Sequence, residues 1–202
     1  MPDSPPLRLG FLASGNGSSA MAVIRAIRQG RLAAEARLLV SNKRDAPALS
    51  AAAEAGVPTL CLPTQKEPAE ADRRLAGAMQ KSGVQLIVLS GYLRKLGPEM
   101  LGRYAGRILN IHPGPLPQFG GQGMYGRRVH EAVIGSGARE SAIVIHAVDE
   151  EYDHGPEVAR RAVPIRPGES AEALEGRVKA LEPDFFVETL IAIAEGRLEL
   201  PS

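Results

Sequence analysis

The sequence predicts an α/β fold in which helices cover both faces of a mostly parallel β-sheet and a β-hairpin is added at one edge. Two observations support this prediction. Short apolar strands alternate with helical segments over the first two thirds of the chain, and two β-rich stretches then follow one another directly. Alternation of strands and helices is typical of right-handed crossovers between parallel strands. Consecutive strands instead indicate a hairpin.

The alternating part contains five apolar runs that read as strands, each followed by a segment with helical periodicity. The strands are predicted at Leu7–Ala13, 37–41, 59–62, Leu86–Leu89 and Ile108–His112. The helices after them are predicted at 20–28, 46–55, 69–81, from Pro98 onward and at 128–134. Pro98 suits a first helical turn, since the N–H that proline lacks has no partner there.

The remaining part of the chain is predicted to form the hairpin and a closing helix. Hairpin strands are expected at 141–148 and 158–165, with the acidic segment 149–156 as their loop. The closing helix is expected over 171–195, and Pro183 inside it should kink or divide it because proline removes a backbone hydrogen bond. Gly196 should end it. We expect residues 1–202 to form a single domain with a flexible segment at 1–6.

Composition narrows the classes of partner. The chain carries 24 basic and 23 acidic residues, so no global charge favours nucleic acid or an anionic membrane. Its start lacks the pattern of a signal peptide, and its single cysteine, Cys61, suits a reducing cytoplasm. With one cysteine and no histidine pair at ligand spacing, we expect no metal site.

A glycine-rich turn, Ser14-Gly-Asn-Gly-Ser18, joins the first strand to the first helix. Glycines let backbone N–H groups approach an anion, and the start of a helix attracts negative charge, so the turn predicts a phosphate site. The same letters fit a relaxed dinucleotide fingerprint, but the second strand ends in Ser41-Asn-Lys-Arg44 without the usual acidic residue. A turn that binds no ligand is the remaining alternative.

The fifth strand presents an amide and an imidazole at its end. Asn110 and His112 lie two residues apart and therefore point to the same side of the strand, which a run of prolines and a glycine then ends. An amide can donate to an oxyanion and an imidazole can exchange protons, so the pair suits acyl transfer. Asp153, in the hairpin loop, is the best candidate for a carboxylate that stabilises the protonated His112.

The other histidines carry weaker predictions. His130 and His146 are expected to serve in packing or to lie at the surface, and His154 to shape the hairpin loop. Asp149, Glu150 and Glu151 are rivals of Asp153, although most of these acids are expected to be solvated. The segment 91–96 follows the fourth strand and offers walls for a flat heterocycle, or forms a partly buried connector.

In these motifs the chain resembles the phosphoribosylglycinamide formyltransferases. The similarity covers about residues 7–198, and its strongest elements are Ser14-Gly-Asn-Gly-Ser18, Ser41-Asn-Lys43, the segment 104–113, and Asp153 with Gly155-Pro156. The resemblance implies a Rossmann-like domain that passes a formyl group from 10-formyltetrahydrofolate to the amine of glycinamide ribonucleotide in purine biosynthesis. It implies small-molecule substrates, no metal, and a monomer or homodimer.

The resemblance also implies roles for individual residues. Asn110 would polarise the formyl carbonyl, His112 would donate a proton, and Asp153 would support the charged His112. The ribonucleotide would be bound by Gly17, Ser18, Ser19, Ala20, Met21 and Glu182. The folate would be bound by Leu93, Arg94, Lys95, Leu96 and Asn110. The chain departs from the family pattern at Ser19, at Pro183 and in the segment 119–126.

Other functions stay open at this point. Methionyl-tRNA formyltransferase and formyltetrahydrofolate deformylase share the Asn-x-His-Pro element, but each carries an additional domain that a chain of 202 residues is not expected to hold. Outside the family, the glycine-rich turn alone favours a dinucleotide-binding oxidoreductase. A nucleotide-binding module without activity is the third alternative.

Overall fold

A computed structural model describes residues 5–64 and 66–201, and within them seven strands form one sheet. The strands are β1 (Leu7–Ala13), β2 (Ala34–Ser41), β3 (Thr59–Cys61), β4 (Leu86–Leu89), β5 (Ile108–His112), β6 (Glu140–Ala147) and β7 (Glu157–Pro164). The helices are α1 (Ser18–Arg28), α2 (Pro47–Glu54), α3 (Pro68–Lys81), α4 (Pro98–Arg103), α5 (Arg127–Gly135) and α6 (Ala171–Ala194). Of the segment expected to be flexible, residues 1–4 lie outside the described residues.

The sheet has the order β3-β2-β1-β4-β5-β6-β7. Strands β1 to β5 are parallel, whereas β6 is antiparallel to both β5 and β7. The predicted mostly parallel sheet with an added edge hairpin is therefore confirmed. Strand β2 begins at Ala34, three residues before its predicted start, because the alanines and glutamate there pair with the first residues of β1. Tertiary pairing outweighs their weak strand preference.

Helices cover both faces of the sheet, as predicted. The larger buried cluster combines residues of α1, α2, α5 and α6 with one face, and the smaller cluster combines α3 and α4 with the other. The carboxylate of Asp72 on α3 accepts hydrogen bonds from the N–H groups of Gly97 (3.1 Å) and Glu99 (2.8 Å). Asp72 thus satisfies amides at the start of α4 and fixes where the β4–α4 connection ends.

Helix α6 runs without a break through Pro183, so of the two predicted outcomes, a kink or a division of the helix, the division is wrong. Pro183 removes one N–H donor from the helix, while Phe185 and Phe186 directly after it are buried in the larger cluster. Packing of these rings offsets the loss of one backbone bond. The helix ends as predicted at Gly196, which has a φ of 69° and donates to the carbonyl of Ile193.

None of the helices in the described part of the chain combines the length and the apolar character needed to span a bilayer.

Replacing Pro183 by alanine should raise the free energy of unfolding by about 1–2 kcal/mol, because the new N–H can bond within the helix. Part of the gain is offset by the greater freedom of the unfolded chain. Urea denaturation measures the change. Asp184→Ala, an exposed change at the next position, is the control and should stay within about 0.5 kcal/mol of the parent protein. A less stable P183A protein would contradict the prediction.

Candidate active site

The order of the strands locates the candidate site. Strands β1 and β4 are neighbours in the middle of the sheet, and the chain leaves them toward opposite faces, through α1 and α4. In open α/β sheets, ligands bind in the crevice outside the carboxyl ends of two such strands. The glycine-rich turn follows β1, and the segment 90–97 follows β4. Strand β5, which ends at His112, lies next to β4.

The antiparallel register between β5 and β6 places His146 directly opposite Asn110. The Asn110 Nδ2 atom lies 3.2 Å from Nε2 of His146, and His146 Nδ1 lies 2.9 Å from the carbonyl oxygen of Ala147. A carbonyl oxygen only accepts hydrogen bonds, so Nδ1 carries a proton and Nε2 can accept from Asn110. The Asn110 amide group has two N–H bonds, and among residues 5–64 and 66–201 only one of them has a partner, so the other can donate to a ligand oxygen.

Asp153 lies between the two histidines. Its Oδ2 atom is 3.4 Å from His112 Nδ1, and its Oδ1 atom is 3.5 Å from His146 Nε2. Burial by itself raises the pKa of Asp153, but hydrogen bonds from His112 and from the N–H of Gly121 hold that pKa well below its ordinary value. Asp153 is therefore a carboxylate at neutral pH.

His112 is 3% exposed and has contacts at both ring nitrogens. Its Nε2 atom lies 2.7 Å from the carbonyl oxygen of Phe119, and its Nδ1 atom faces Asp153. Both partners are acceptors, so both contacts are hydrogen bonds only when the imidazole carries two protons. The geometry around His112 accordingly suits the charged imidazolium, which is the form that can give up a proton.

A cavity next to this cluster is bounded by the β4–α4 connection and the hairpin loop. It is lined by Leu89, Tyr92, Arg94, Lys95, Leu96, Asn110, His146, Val148 and residues 149–153. Four of the residues predicted to bind folate, Arg94, Lys95, Leu96 and Asn110, are thus brought together. The fifth, Leu93, is 68% exposed and is not in the lining. The Lys95 Nζ atom lies 5.9 Å from the centre of the Tyr152 ring, so the two loops face each other.

The glycine-rich turn has the geometry expected of an anion site. Gly17 begins α1 with a φ of 61°, and a side chain there would come within 3.0 Å of Ala48 Cβ. Ser18 is exposed and Ser19 is buried. The N–H of Ala20 donates to Ser90 Oγ (3.1 Å) and that of Met21 to the Gly17 carbonyl (2.8 Å). Ala20 and Met21 therefore shape the turn, and the amides of Ser18 and Ser19 are the better placed to receive an anion.

Glu182 projects from α6, which packs on α1, and is partly buried. Burial raises the pKa of Glu182 to about 7, against the opposing charges of Lys179 and His112. Two turns earlier, Glu175 accepts from Lys179 (2.6 Å) and Arg127 (2.9 Å), and these bonds lower the pKa of Glu175 to about 2. Two carboxylates on one helix thus differ in protonation because one has cationic partners at hydrogen-bond distance and the other is mainly desolvated.

The histidine predictions have mixed outcomes. His130 is fully buried, which confirms a packing position, and His154 contacts Asp149 at 2.8 Å and so helps to shape the hairpin loop. His146 is buried as well, but it contacts both Asn110 and Asp153, so the sequence analysis missed its place in the site. Only the β5–β6 register reveals that place, since His146 is 36 residues from Asn110 along the chain.

Within residues 5–64 and 66–201, no group of three or more His, Cys, Asp or Glu side chains is arranged to hold a metal ion.

An amide group and an imidazole paired with a carboxylate, held at the ligand crevice of an α/β sheet, are groups that suit acyl transfer. Comparison with known proteins identifies the group more closely. Residues 7–190 match the formyl transferase family. The chain belongs to this family, and the resemblance to phosphoribosylglycinamide formyltransferases is confirmed.

Individual relatives agree with this assignment. A chloroplastic phosphoribosylglycinamide formyltransferase of Arabidopsis thaliana is 38% identical over 95% of this chain and 67% of its own length. The phosphoribosylglycinamide formyltransferase of Escherichia coli is 34% identical over 94% of this chain and 88% of its own. Glycinamide ribonucleotide transformylase 1 from Symbiobacterium toebii has a crystal structure that matches with a TM-score of 0.87 and 31% identity, over 99% of this chain and 93% of that one. The chain spans about two thirds of the length of the plant relatives.

Glu182→Gln should change how stability depends on pH. Because the folded-state pKa of about 7 lies above the ordinary value of 4.5, the folded state binds this proton more tightly than the unfolded state does. The stabilisation is complete below about pH 4.5 and is lost as the pH rises through 7. Glutamine stays neutral, so the variant should match the parent protein at pH 4.5 and be more stable by about 3 kcal/mol at pH 8.5.

Chemical denaturation at a series of pH values measures this difference. Glu131→Gln, at an exposed position of α5, is the control and should follow the parent protein across the range. A constant offset for E182Q between pH 4.5 and 8.5 would contradict the assigned ionisation.

Proposed function

We propose that this protein transfers the formyl group of 10-formyltetrahydrofolate to the amine of glycinamide ribonucleotide, a step of purine biosynthesis. The observation that supports this most is the connected set Asn110, His146, Asp153 and His112, which borders a cavity for a flat ring at the same edge of the sheet as a turn suited to phosphate. A formyl transfer needs these three parts in contact: a donor site, an acceptor site, and groups that stabilise an oxyanion and move a proton.

The cavity fits the donor. Leu89, Leu96 and Val148 supply apolar walls, while Asn110 and Asp153 add polar groups to the lining. The volume of the cavity is about 80 Å³, well below the roughly 300 Å³ or more of a typical ligand pocket. We therefore expect the hairpin loop and the segment 92–96 to move apart when the donor enters. Separation of Lys95 from Tyr152 would open the cavity.

The glycine-rich turn and Glu182 fit the acceptor. The Ser18 and Ser19 amides at the start of α1 and the exposed Ser18 hydroxyl can surround a phosphate, which the partial positive charge of the helix start attracts. Glu182 on the neighbouring helix α6 can accept a hydrogen bond from the ribonucleotide. In its protonated form it can also donate one, because its pKa of about 7 makes both forms available.

The chemistry follows from these positions. The acceptor amine attacks the formyl carbon, and a tetrahedral intermediate forms with negative charge on the former carbonyl oxygen. The free N–H of Asn110 stabilises that oxygen, while His112, paired with Asp153, supplies a proton. When the carbon–nitrogen bond to the donor breaks, the departing nitrogen gains a proton and the attacking nitrogen loses one. Asp153 remains a carboxylate throughout and holds the charge of His112.

The test is a transfer assay with 10-formyltetrahydrofolate in the presence and absence of glycinamide ribonucleotide. Formylated ribonucleotide and tetrahydrofolate should appear together, and only when both substrates are present. Release of formate and tetrahydrofolate without the ribonucleotide would instead identify a deformylase. Binding of nicotinamide dinucleotides would favour the oxidoreductase alternative, which only the glycine-rich turn supports.

We further propose that residues 1–202 act as one domain in the cytoplasm, as a monomer or homodimer on small-molecule substrates. The single cysteine, Cys61, which has no disulfide, is compatible with a reducing compartment. The proposed chemistry uses residues of one chain only, and neither nucleic acid nor a membrane takes part in it.

Asp153→Asn should lower kcat by about 100-fold or more, because a neutral amide does not balance the charge of His112. The KM for the ribonucleotide should change by less than about threefold. Steady-state kinetics with each substrate varied in turn separates the two effects. Glu140→Gln lies at the exposed far end of β6 and is the control, with an unchanged kcat. An unaltered kcat in D153N would remove Asp153 from the mechanism.

Ser18→Ala should raise the KM for the ribonucleotide by about tenfold and leave the KM for the folate donor unchanged, since a hydrogen bond to a charged phosphate is worth about 1.5 kcal/mol or more. The same kinetic analysis measures both constants. Ser50→Ala, on the exposed side of α2, is the control. An equal loss of affinity for both substrates would contradict the assignment of the turn to phosphate.

A further inference from the structure

The Ser14 hydroxyl links three segments of the chain: the glycine-rich turn, the residues after β2 and the residues after β4. It donates to Oδ1 of Asn42 at 2.6 Å and accepts from the backbone N–H of Leu93 at 2.9 Å. Ser14 opens the glycine-rich turn, Asn42 follows β2, and Leu93 belongs to the segment that borders the donor cavity. The side chain of Ser14 is almost completely buried, so both bonds are shielded from water.

Two backbone-linked contacts strengthen the same junction. The N–H of Ser14 donates to the carbonyl of Gly91 at 3.1 Å, and the N–H of Ala20 donates to Ser90 Oγ at 3.1 Å. The glycine-rich turn and the start of α1 are therefore attached to the residues directly after β4. Of these contacts, only the bond to Leu93 reaches the part of the segment that continues into the cavity lining at Arg94, Lys95 and Leu96.

Asn42 determines the direction in which the Ser14 hydroxyl donates its proton. A hydroxyl has one proton, and the carbonyl oxygen of the Asn42 amide accepts it, which turns the oxygen lone pairs toward Leu93. Asn42 itself is not in the cavity lining, and β1 lies between its strand and β4. Its influence on the donor site can pass through Ser14 and does not require contact with the donor.

From this arrangement we infer that Ser14 and Asn42 are positioning residues for the formyl donor: their hydrogen bonds hold the backbone at Leu93 and thereby fix the wall formed by residues 94–96 against the phosphate-binding turn. The inference rests on the proposed function for the identity of the donor. It also gives a role to the Ser41-Asn-Lys43 motif, whose Asn42 lies outside the donor cavity and contacts the glycine-rich turn at Ser14.

The test compares Asn42→Ala with Asn42→Asp. The aspartate keeps an oxygen that accepts the Ser14 proton, whereas the alanine removes it. We expect N42A and Ser14→Ala each to raise the KM for 10-formyltetrahydrofolate about fivefold, the effect of losing one hydrogen bond. N42D should stay within about twofold of the parent protein. The N42A/S14A double variant should be no worse than S14A alone, because the two residues act through one hydroxyl.

Other readouts separate positioning from a general loss of structure. The KM for the ribonucleotide should rise less than the KM for the donor, and N42D should restore the donor KM even if its thermal stability equals that of N42A. An unchanged donor KM in N42A, an N42D protein as impaired as N42A, or additive effects in the double variant would each overturn the inference. A parallel rise of both KM values would do so as well.

Calorimetric titration with tetrahydrofolate measures donor-site affinity without formyl transfer. It therefore tests the positioning role independently of the proposed activity. If the parent protein binds tetrahydrofolate but transfers no formyl group, the proposed reaction is wrong, and the affinities of N42A, N42D and S14A still decide the positioning role. If the parent protein does not bind tetrahydrofolate, both the reaction and the positioning role are overturned.

Discussion

The register between β5 and β6 is the constraint on which the candidate site depends. It pairs Asn110 with His146 across the two strands and brings the loop after β6 back over the end of β5, so that Asp153 reaches both histidines. Because side chains alternate along a strand, a shift of one residue would turn His146 to the opposite face. The hairpin is thus part of the candidate site, and its added edge strands position the Asp153 carboxylate.

Within that register, charge and hydrogen-bonding capacity decide what each group can do. Asp153 keeps its negative charge because His112 and the N–H of Gly121 donate hydrogen bonds to it, and both ring nitrogens of His112 face acceptors. Glu182 has no cation at hydrogen-bond distance and takes up a proton far more readily than Glu175 on the same helix. Groups of similar chemistry therefore differ in ionisation according to their neighbours, which lets one crevice hold a proton donor beside a permanent carboxylate.

The crevice also has to hold two substrates in a fixed relation. The segments that would bind them follow β1 and β4, which are adjacent in the sheet although they are more than 70 residues apart along the chain. Hydrogen bonds from Ser14 and Ala20 join the two segments across the ends of these strands. The parallel sheet with its crossover helices places the two segments next to each other. The side chains at the strand ends align them, as a transfer reaction requires.

By itself, the sequence determined the local elements and the chemistry at their ends. Apolar runs predicted the strands, and glycine-rich and proline-rich turns predicted where the strands end. Asn110, His112 and Asp153 were proposed as site residues because an amide can donate to an oxyanion, an imidazole can exchange protons and a carboxylate can stabilise the charged imidazole. Only the tertiary structure decided that His146 joins them, that helix α6 continues through Pro183, and that Asn42 reaches the donor segment through Ser14. Each of these depends on contacts between residues far apart in the chain, and periodicity and propensity report only on near neighbours.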